Sequence, residues 1–305
     1  MRNGLPSIIK ASKLVCDLFR HMIVAQKRPI YIVGLPRTGT TWIASILNTA
    51  EGIKYFHEPF NHINVPGAAM HSLKYLRAND DDHAFAWFCR DAFAGRTDGP
   101  YVRSKLAWRY RRFPWWPGRV MVKDVHSFGA LEWIHRRISP VTVIVIRHPC
   151  AVTASWLRLN YRTEWIERFL DQPNLTDDYL KPFEDLLRKA QGDCEKIGTV
   201  WGATYYVMLQ QKRMYPDWIV VQHEVLCRDP VGEFRELFRM LDLRWTQKTD
   251  ELITISTTRH GDKPYDLERI SSQEPDKWKK ELDPQQIQQV RQFVEPFGVK
   301  YYADF

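Results

Sequence analysis

The 305-residue chain contains no run of about 18 uncharged apolar residues, so no segment has the length and character of a membrane-spanning helix. Cysteine is sparse: Cys16, Cys89, Cys150, Cys194 and Cys227 are odd in number and include no CxxC pair. That spacing argues against a disulfide framework and a cysteine zinc site, and it fits a reducing, cytoplasmic compartment. Internal repeats and low-complexity tracts are lacking, which disfavours solenoids and linker-rich assemblies. Acidic residues are too few to balance the basic ones, 36 against 44, leaving a net charge of +8. An excess of that sign favours a polyanionic ligand, a nucleic acid or an acidic surface without choosing among them.

The first segment does not read as a signal peptide, because Lys10, Lys13, Asp17 and Arg20 interrupt its apolar residues. Residues 6–26 place apolar side chains near helical spacing, which predicts an amphipathic packing helix; peripheral contact with a membrane surface is the alternative. Residues 1–28 are therefore set apart from a single domain spanning 29–305. Within it, short apolar runs at 30–33, 119–122, 141–146 and 218–221, with a weaker one at 53–56, read as buried parallel strands. Longer helical patterns separate them, at 161–190, 194–214 and 230–241 among others. The alternation predicts an α/β fold with a doubly wound, mainly parallel sheet whose ligands bind beyond the carboxyl ends of the strands. Residues 64–118 break the pattern and read as a helical and loop insertion carrying the basic aromatic run 109–116, RYRRFPWW. Stacking side chains beside cations could hold a nucleic acid, but no recognition motif accompanies them, so that partner is disfavoured.

Residues 30–42, IYIVGLPRTGTTW, pass from an apolar strand through Gly34 into a hydroxyl-rich loop and a helix. Gly34 and Gly39 have the spacing of a nucleotide P-loop, whose lysine reaches the β/γ-phosphates and whose hydroxyl holds magnesium. Thr40 stands where that lysine belongs. The loop keeps an anion cradle of backbone N–H groups at a helix N-terminus, with Arg37 as its one cation. A second signal lies at 141–157, VTVIVIRHPCAVTASWL, where Arg147 ends a strand and Ser155 sits two turns into the next helix. A guanidinium and a hydroxyl so placed can grip one phosphate.

The run Pro36-Arg37-Thr38-Gly39-Thr40-Thr41-Trp42 resembles the 5′-phosphosulfate loop, P-[KR]-[ST]-G-T-T-[WL], of sulfotransferases that use 3′-phosphoadenosine 5′-phosphosulfate (PAPS). Residues 147–157 resemble the 3′-phosphate motif of the same family, with His148 and Cys150 departing from its commonest residues. Residues 220–230, VVQHEVLCRDP, resemble its late strand and turn, with His223 in place of the usual tyrosine, and the segment from Trp278 to Phe297-Gly298 resembles its closing helix and tail. The resemblance implies PAPS as sulfuryl donor, adenosine 3′,5′-bisphosphate (PAP) as product, no metal, and a hydroxyl acceptor that is a carbohydrate or small molecule. It assigns the donor site to Arg37, Thr38, Gly39, Thr40, Thr41, Trp42, Arg147 and Ser155, with Trp201 on the adenine side and Arg269 closing over the 3′-phosphate. Arg37 would stabilise charge on the leaving oxygen without donating its proton.

The base is left between two residues. Glu58 follows Arg37 by 21 positions, as in the carbohydrate and tyrosylprotein branches; His126 lies near the base histidine of the cytosolic members, with one extra residue after Lys123. Strand alternation would point His57 away from Glu58. Lys123 is expected in the cleft near transferred sulfate or acceptor, or else paired with Asp124. Two rival readings remain: a P-loop kinase with Asp124 on magnesium, and an inactive polyanion-binding module.

Overall fold

The computed structural model describes residues 18, 21–161, 164–258 and 271–302. Five strands form one parallel sheet: β1 (Ile30–Gly34), β2 (Ile53–His57), β3 (Arg119–Asp124), β4 (Val141–Ile146) and β5 (Ile219–Gln222), in the order β2-β3-β1-β4-β5. All five predicted strands are present, the weak second one included. β1 is central and buried on both faces, which is why its sequence reads as an unbroken apolar run.

Alternate residues of β1 feed two cores. Ile30 and Ile32 pack with helix α1 (Thr40–Leu47), while Tyr31 and Val33 face the opposite layer. That second layer holds α2 (His83–Phe93), α3 (Leu131–Ile138), α4 (Pro149–Arg158) and α5 (Asp193–Met214). Helices α6 (His223–Arg228), α7 (Pro230–Met240) and α8 (Gln247–Thr258) follow β5, and α9 (Pro284–Val294) packs back along α5. Phe234, Leu237, Phe238 and Ile253 place α7 and α8 on the α1 side. Adjacent strands β1 and β4 thus feed helices on opposite faces, and the crevice between their tips is the switch point where an open α/β sheet binds ligands.

The helical expectation for 161–190 needs correction. The described part consists of short pieces, Trp165–Leu170, Pro173–Leu175, a π turn at Thr176–Leu180 and 3₁₀ at Lys181–Phe183, before Glu184–Lys189. Pro173 and Pro182 each remove an amide donor and restart the chain. The helix expected at 230–241 forms with Asp229 as its cap, accepting from the Gly232 amide at 3.0 Å. The insertion supplies α2 and a helical turn at Trp108–Arg112, and Tyr110 bonds His21 Nδ1 at 3.2 Å. His21–Ala25 is helical, whereas most of the expected N-terminal helix lies outside the described residues.

Gly34 marks where β1 presses against β4. A Cβ there would lie 2.6 Å from the Val145 carbonyl oxygen, a backbone atom that cannot turn aside. Gly34→Ala is therefore expected to cost about 1–3 kcal/mol of stability, the range for overpacking a filled site. A lowered urea midpoint checks this, against Gly67→Ala as control, where a Cβ meets nothing closer than Phe88 at 4.0 Å.

Candidate active site

The loop after β1 turns on two left-handed residues, Arg37 at φ 73° and Gly39 at φ 91°. Arginine there is strained, and the neighbouring elements hold it. Trp156 Nε1 of α4 donates to the Pro36 carbonyl at 3.0 Å, and Arg147 Nη1 donates to the Arg37 carbonyl at 3.1 Å. Arg37 Nε donates to Ser155 Oγ at 3.1 Å. The two sequence signals, 110 residues apart, therefore meet through direct hydrogen bonds.

The tip of β4 is braced in turn. Glu224 accepts from the His148 amide at 2.9 Å and from the Tyr302 hydroxyl, while the His148 ring stacks on Trp278 with centroids 4.5 Å apart. His148 Nδ1 accepts from the Cys150 amide at 3.2 Å, capping α4. The late segments thus buttress the loop that carries Arg147. Arg147 Nη2 pairs with Glu274 Oε2 at 3.2 Å, and its Nε is buried without a hydrogen-bond partner.

Arg37, Gly39, Thr40, Thr41 and Trp42 line a cavity of about 520 Å³ together with Arg147 and Ser155. The first amides of α1 have no acceptor one helical turn earlier, so this end of the cavity offers N–H donors. Trp42 is held edge-on to His223 and Phe234, its indole donating to Ser256 Oγ at 2.9 Å. His223 fills the space under Gly39, where a Cβ would come within 2.4 Å of its ring. Burial, then the Arg147 guanidinium, holds that imidazole well below its usual pKa.

The opposite wall is built at the ends of β2 and β3. The strand does not continue through Glu58: at φ 47° this residue turns the chain, and His57 and Glu58 both line the cavity, Nε2 and Oε1 being 3.9 Å apart. The expectation that His57 points away is thereby corrected. Lys123 Nζ pairs with Glu58 Oε1, not with Asp124. Glu58 Oε2 accepts from the Tyr101 hydroxyl at 2.5 Å and from Asn61 Nδ2 at 2.7 Å. Burial favours the neutral acid, but the Lys123 ammonium and these donors outweigh it and hold the carboxyl well below the usual range. Burial pulls His126 down to about 4 and, with the Lys123 charge, His57 to about 4, so both are neutral at pH 7. His126 Nδ1 is buried without a hydrogen-bond partner.

Two assigned residues face away from the cavity. The Thr38 hydroxyl turns inward to the Leu35 carbonyl at 2.7 Å and shapes the loop from behind. Trp201 is a core residue, 1% exposed, and its indole donates to the Arg147 carbonyl at 2.9 Å, positioning the arginine. Arg269 lies outside the described residues. Asp124 accepts from the Phe60 and His126 amides and from Ser127 Oγ, at 2.8, 2.6 and 3.1 Å, and is fully buried, so it is committed to the fold and does not line the cavity as a kinase's metal ligand would. Burial, then the Glu58 charge, pushes it up to about 7. Among the described residues no cluster of three His, Cys, Asp or Glu side chains is arranged to hold a metal, and Cys89, Cys150, Cys194 and Cys227 are free and buried. Tyr101, Asn61, Lys105, Arg158 and Glu274 also line the cavity and went unassigned from sequence. Asn61 lies three residues after Glu58, Arg158 directly follows the 141–157 run and Glu274 lies four before Trp278, whereas Tyr101 and Lys105 come from the insertion with no motif beside them.

A parallel α/β sheet whose central strand opens into a lysine-free phosphate loop, with a second arginine grip on the adjacent strand, defines a sulfotransferase-type group-transfer fold. Residues 29–247 match the model of the Sulfotransferase family, and the chain belongs to that family. The structure is similar to the sulfotransferase domain of the Synechococcus PCC 7002 olefin synthase, at 17% identity over 91% of this chain and 98% of that one, TM-score 0.48. It is also similar to the sulfotransferase domain from the curacin biosynthetic pathway, at 14% identity over 88% and 98%, TM-score 0.48. A mouse sulfotransferase complexed with PAP matches at 12% identity over 90% and 85%, TM-score 0.47. No curated protein sequence matches. No helix among the described residues is long and apolar enough to cross a membrane.

Removing one member of the buried Lys123–Glu58 pair strands the other. Lys123→Met is expected to destabilise the fold by about 3–5 kcal/mol, and Lys123→Met with Glu58→Gln by less than the sum of the single changes. Because Glu58 titrates below its ordinary 4.5 in the folded state, its contribution is fully present above that pH and disappears as pH falls through the depressed value. Urea unfolding at stepwise lower pH checks this: the double variant should lack that share of the acid loss.

Proposed function

We propose that this sulfotransferase transfers a sulfuryl group from PAPS to a hydroxyl acceptor by in-line displacement, with Glu58 as base. The observation that carries the reading is the convergence of two separate anion grips on one cavity, Arg37 with the α1 amides and Arg147 with Ser155. The donor set suits a ligand with two phosphate groups, and the orphaned Arg147 Nε supplies a buried donor for an anion. PAPS would supply an activated sulfuryl group on a phosphate leaving group.

Arg147 and Ser155 would hold the 3′-phosphate, while Arg37, Gly39, Thr40 and Thr41 would hold the 5′-phosphosulfate. Arg37 stays protonated, so it stabilises growing charge on the bridging oxygen by hydrogen bonding and field alone. Trp42 would form part of the adenine side. Glu58 stands across the cavity, but a carboxylate held by an ammonium, a phenol and an amide is a weak base. Lys123 therefore controls it: drawing the ammonium toward negative charge elsewhere in the cavity removes the main interaction that depresses Glu58 and raises its proton affinity. His126, neutral and with a free Nδ1 lone pair or proton according to tautomer, is the second candidate.

Calorimetry should detect PAP binding without magnesium, and tighter than ATP with magnesium; absence of PAP binding would sink the reading. Arg147→Ala should chiefly weaken PAP binding, and Arg37→Ala should chiefly depress turnover. Glu58→Gln is expected to lower turnover roughly 10²–10⁴-fold with PAP affinity held within about twofold, and His126→Asn by less. The reverse ranking would transfer the base role to His126, and PAP binding without turnover of any acceptor would leave a polyanion-binding module.

A further inference from the structure

A second cavity, about 690 Å³, adjoins the first and shares with it Ile63, His126 and Tyr161. Its floor is apolar and aromatic: Trp156, Trp165, Leu73 and Ile197 line it while almost fully buried. Trp165 is fixed from behind, stacked on Phe128 with an interplanar angle of 20°, and the small part of it that remains accessible lines the cavity. His126 closes the wall between the two cavities, with its ring 6.0 Å from that of Trp165 and its Nδ1 buried and unpartnered.

The charges differ sharply between the two spaces. Among the described residues, five cations, Arg37, Lys105, Lys123, Arg147 and Arg158, line the first cavity against Glu58 and Glu274. Among the described residues, the second is lined by Glu164, Glu167 and Asp193 against Arg168 and Lys196. His62 and His126 are both held below the ordinary histidine value by burial and add no charge at neutral pH. An anionic molecule is thus attracted to the first space and finds an excess of carboxylates in the second.

We infer that the second cavity is the acceptor site and selects an uncharged, hydroxyl-bearing molecule with an apolar face, of the size of a phenyl glycoside, against acidic acceptors. This rests on the sulfuryl-transfer reading for what the site is used for, though not for what it binds. An apolar ring seated on the floor against the accessible edge of Trp165, with a hydroxyl toward His126, points that hydroxyl at the boundary with the cavity that holds Glu58 and Lys123. A volume of this size, with an apolar floor and polar groups around it, suits a small-molecule site. Carboxylates at the rim accept hydrogen bonds from sugar hydroxyls and repel a second carboxylate or sulfate.

The test titrates phenyl β-D-glucopyranoside and phenyl β-D-glucuronide into the protein by calorimetry, both free and saturated with PAP. The neutral glucoside should bind about tenfold tighter or more than the glucuronide. Trp165→Ala should weaken the glucoside by about tenfold while PAP affinity changes less than about twofold. Because that variant could perturb folding, Glu164→Lys with Glu167→Lys provides the second arm: this surface double change should erase or invert the preference. Equal or tighter binding of the glucuronide to the unmodified protein, no binding of either probe at millimolar concentration, or indifference to both variants would overturn the inference. Failure of PAP to bind counts against the sulfuryl-transfer reading alone, because the titrations in its absence still report on the second cavity.

Discussion

Two arginines share one cleft because β1 and β4 are hydrogen-bonded neighbours in a single register, Gly34 opposite Val145. That pairing sets the loop after β1 beside the loop after β4, and Arg147 can then donate to the Arg37 carbonyl while Arg37 donates to Ser155. Glycine at 34 is what lets the backbones approach. Much of the surrounding structure serves this junction. Tyr205 of α5 donates to the Val145 carbonyl at 2.7 Å, Trp201 one turn earlier holds the Arg147 carbonyl, and Trp156 holds that of Pro36. These side chains from α4 and α5 fix both loops before any ligand arrives, and a preorganised donor set loses little on binding.

Gathering cations in a partly buried space is unfavourable unless carboxylates stand among them. Glu274 answers Arg147, and Glu58 answers Lys123. The two pairs differ in kind. Glu274 shares Arg147 with an uncommitted Nε, leaving that guanidinium a donor to spare, whereas Glu58 is satisfied on both oxygens. In the latter the ammonium, Tyr101 and Asn61 keep the carboxylate ionised. Such an arrangement links basicity to the charge in the cavity, since the carboxylate gains proton affinity only as the ammonium is drawn elsewhere.

The strands and both anion grips were legible in the sequence because each is a contiguous run whose composition reflects a local constraint. Strands buried on both faces are apolar throughout, and a phosphate loop at a strand end needs small residues, a cation and hydroxyls within a few positions. What could not be read depended on backbone angles or distant chain. Thr38 faces inward because Arg37 and Gly39 take left-handed conformations on either side of it. Trp201 sits on a helix buried along much of its circumference, so periodicity could not separate a ligand-facing side from a core-facing one. His57 joins Glu58 on one wall only because Glu58 leaves the extended conformation. Tyr101 comes from the insertion, where no regular pattern announces a side chain that reaches a residue 43 positions earlier. The apparent helix at 161–190 failed at its prolines, whose effect on hydrogen bonding outweighed the apolar period.

His126, with Ile63 and Tyr161, lines both cavities and stands at their shared boundary. Its amide and that of Phe60 are held by Asp124, so the chains leaving β2 and β3 are tied to the same carboxylate. Its carbonyl accepts from the Leu73 amide at 2.6 Å, anchoring it to the insertion as well. The ring is therefore fixed at the boundary by its backbone, while its Nδ1 remains without a protein partner. In the proposed reaction, a fixed, neutral imidazole there would orient an acceptor hydroxyl by donating or accepting one hydrogen bond, without competing with Glu58 for the proton. Division of labour of this kind needs no histidine pKa near neutrality, and the depressed values of His57 and His126 are consistent with it. Burial has removed from both rings the charge that would repel Lys123.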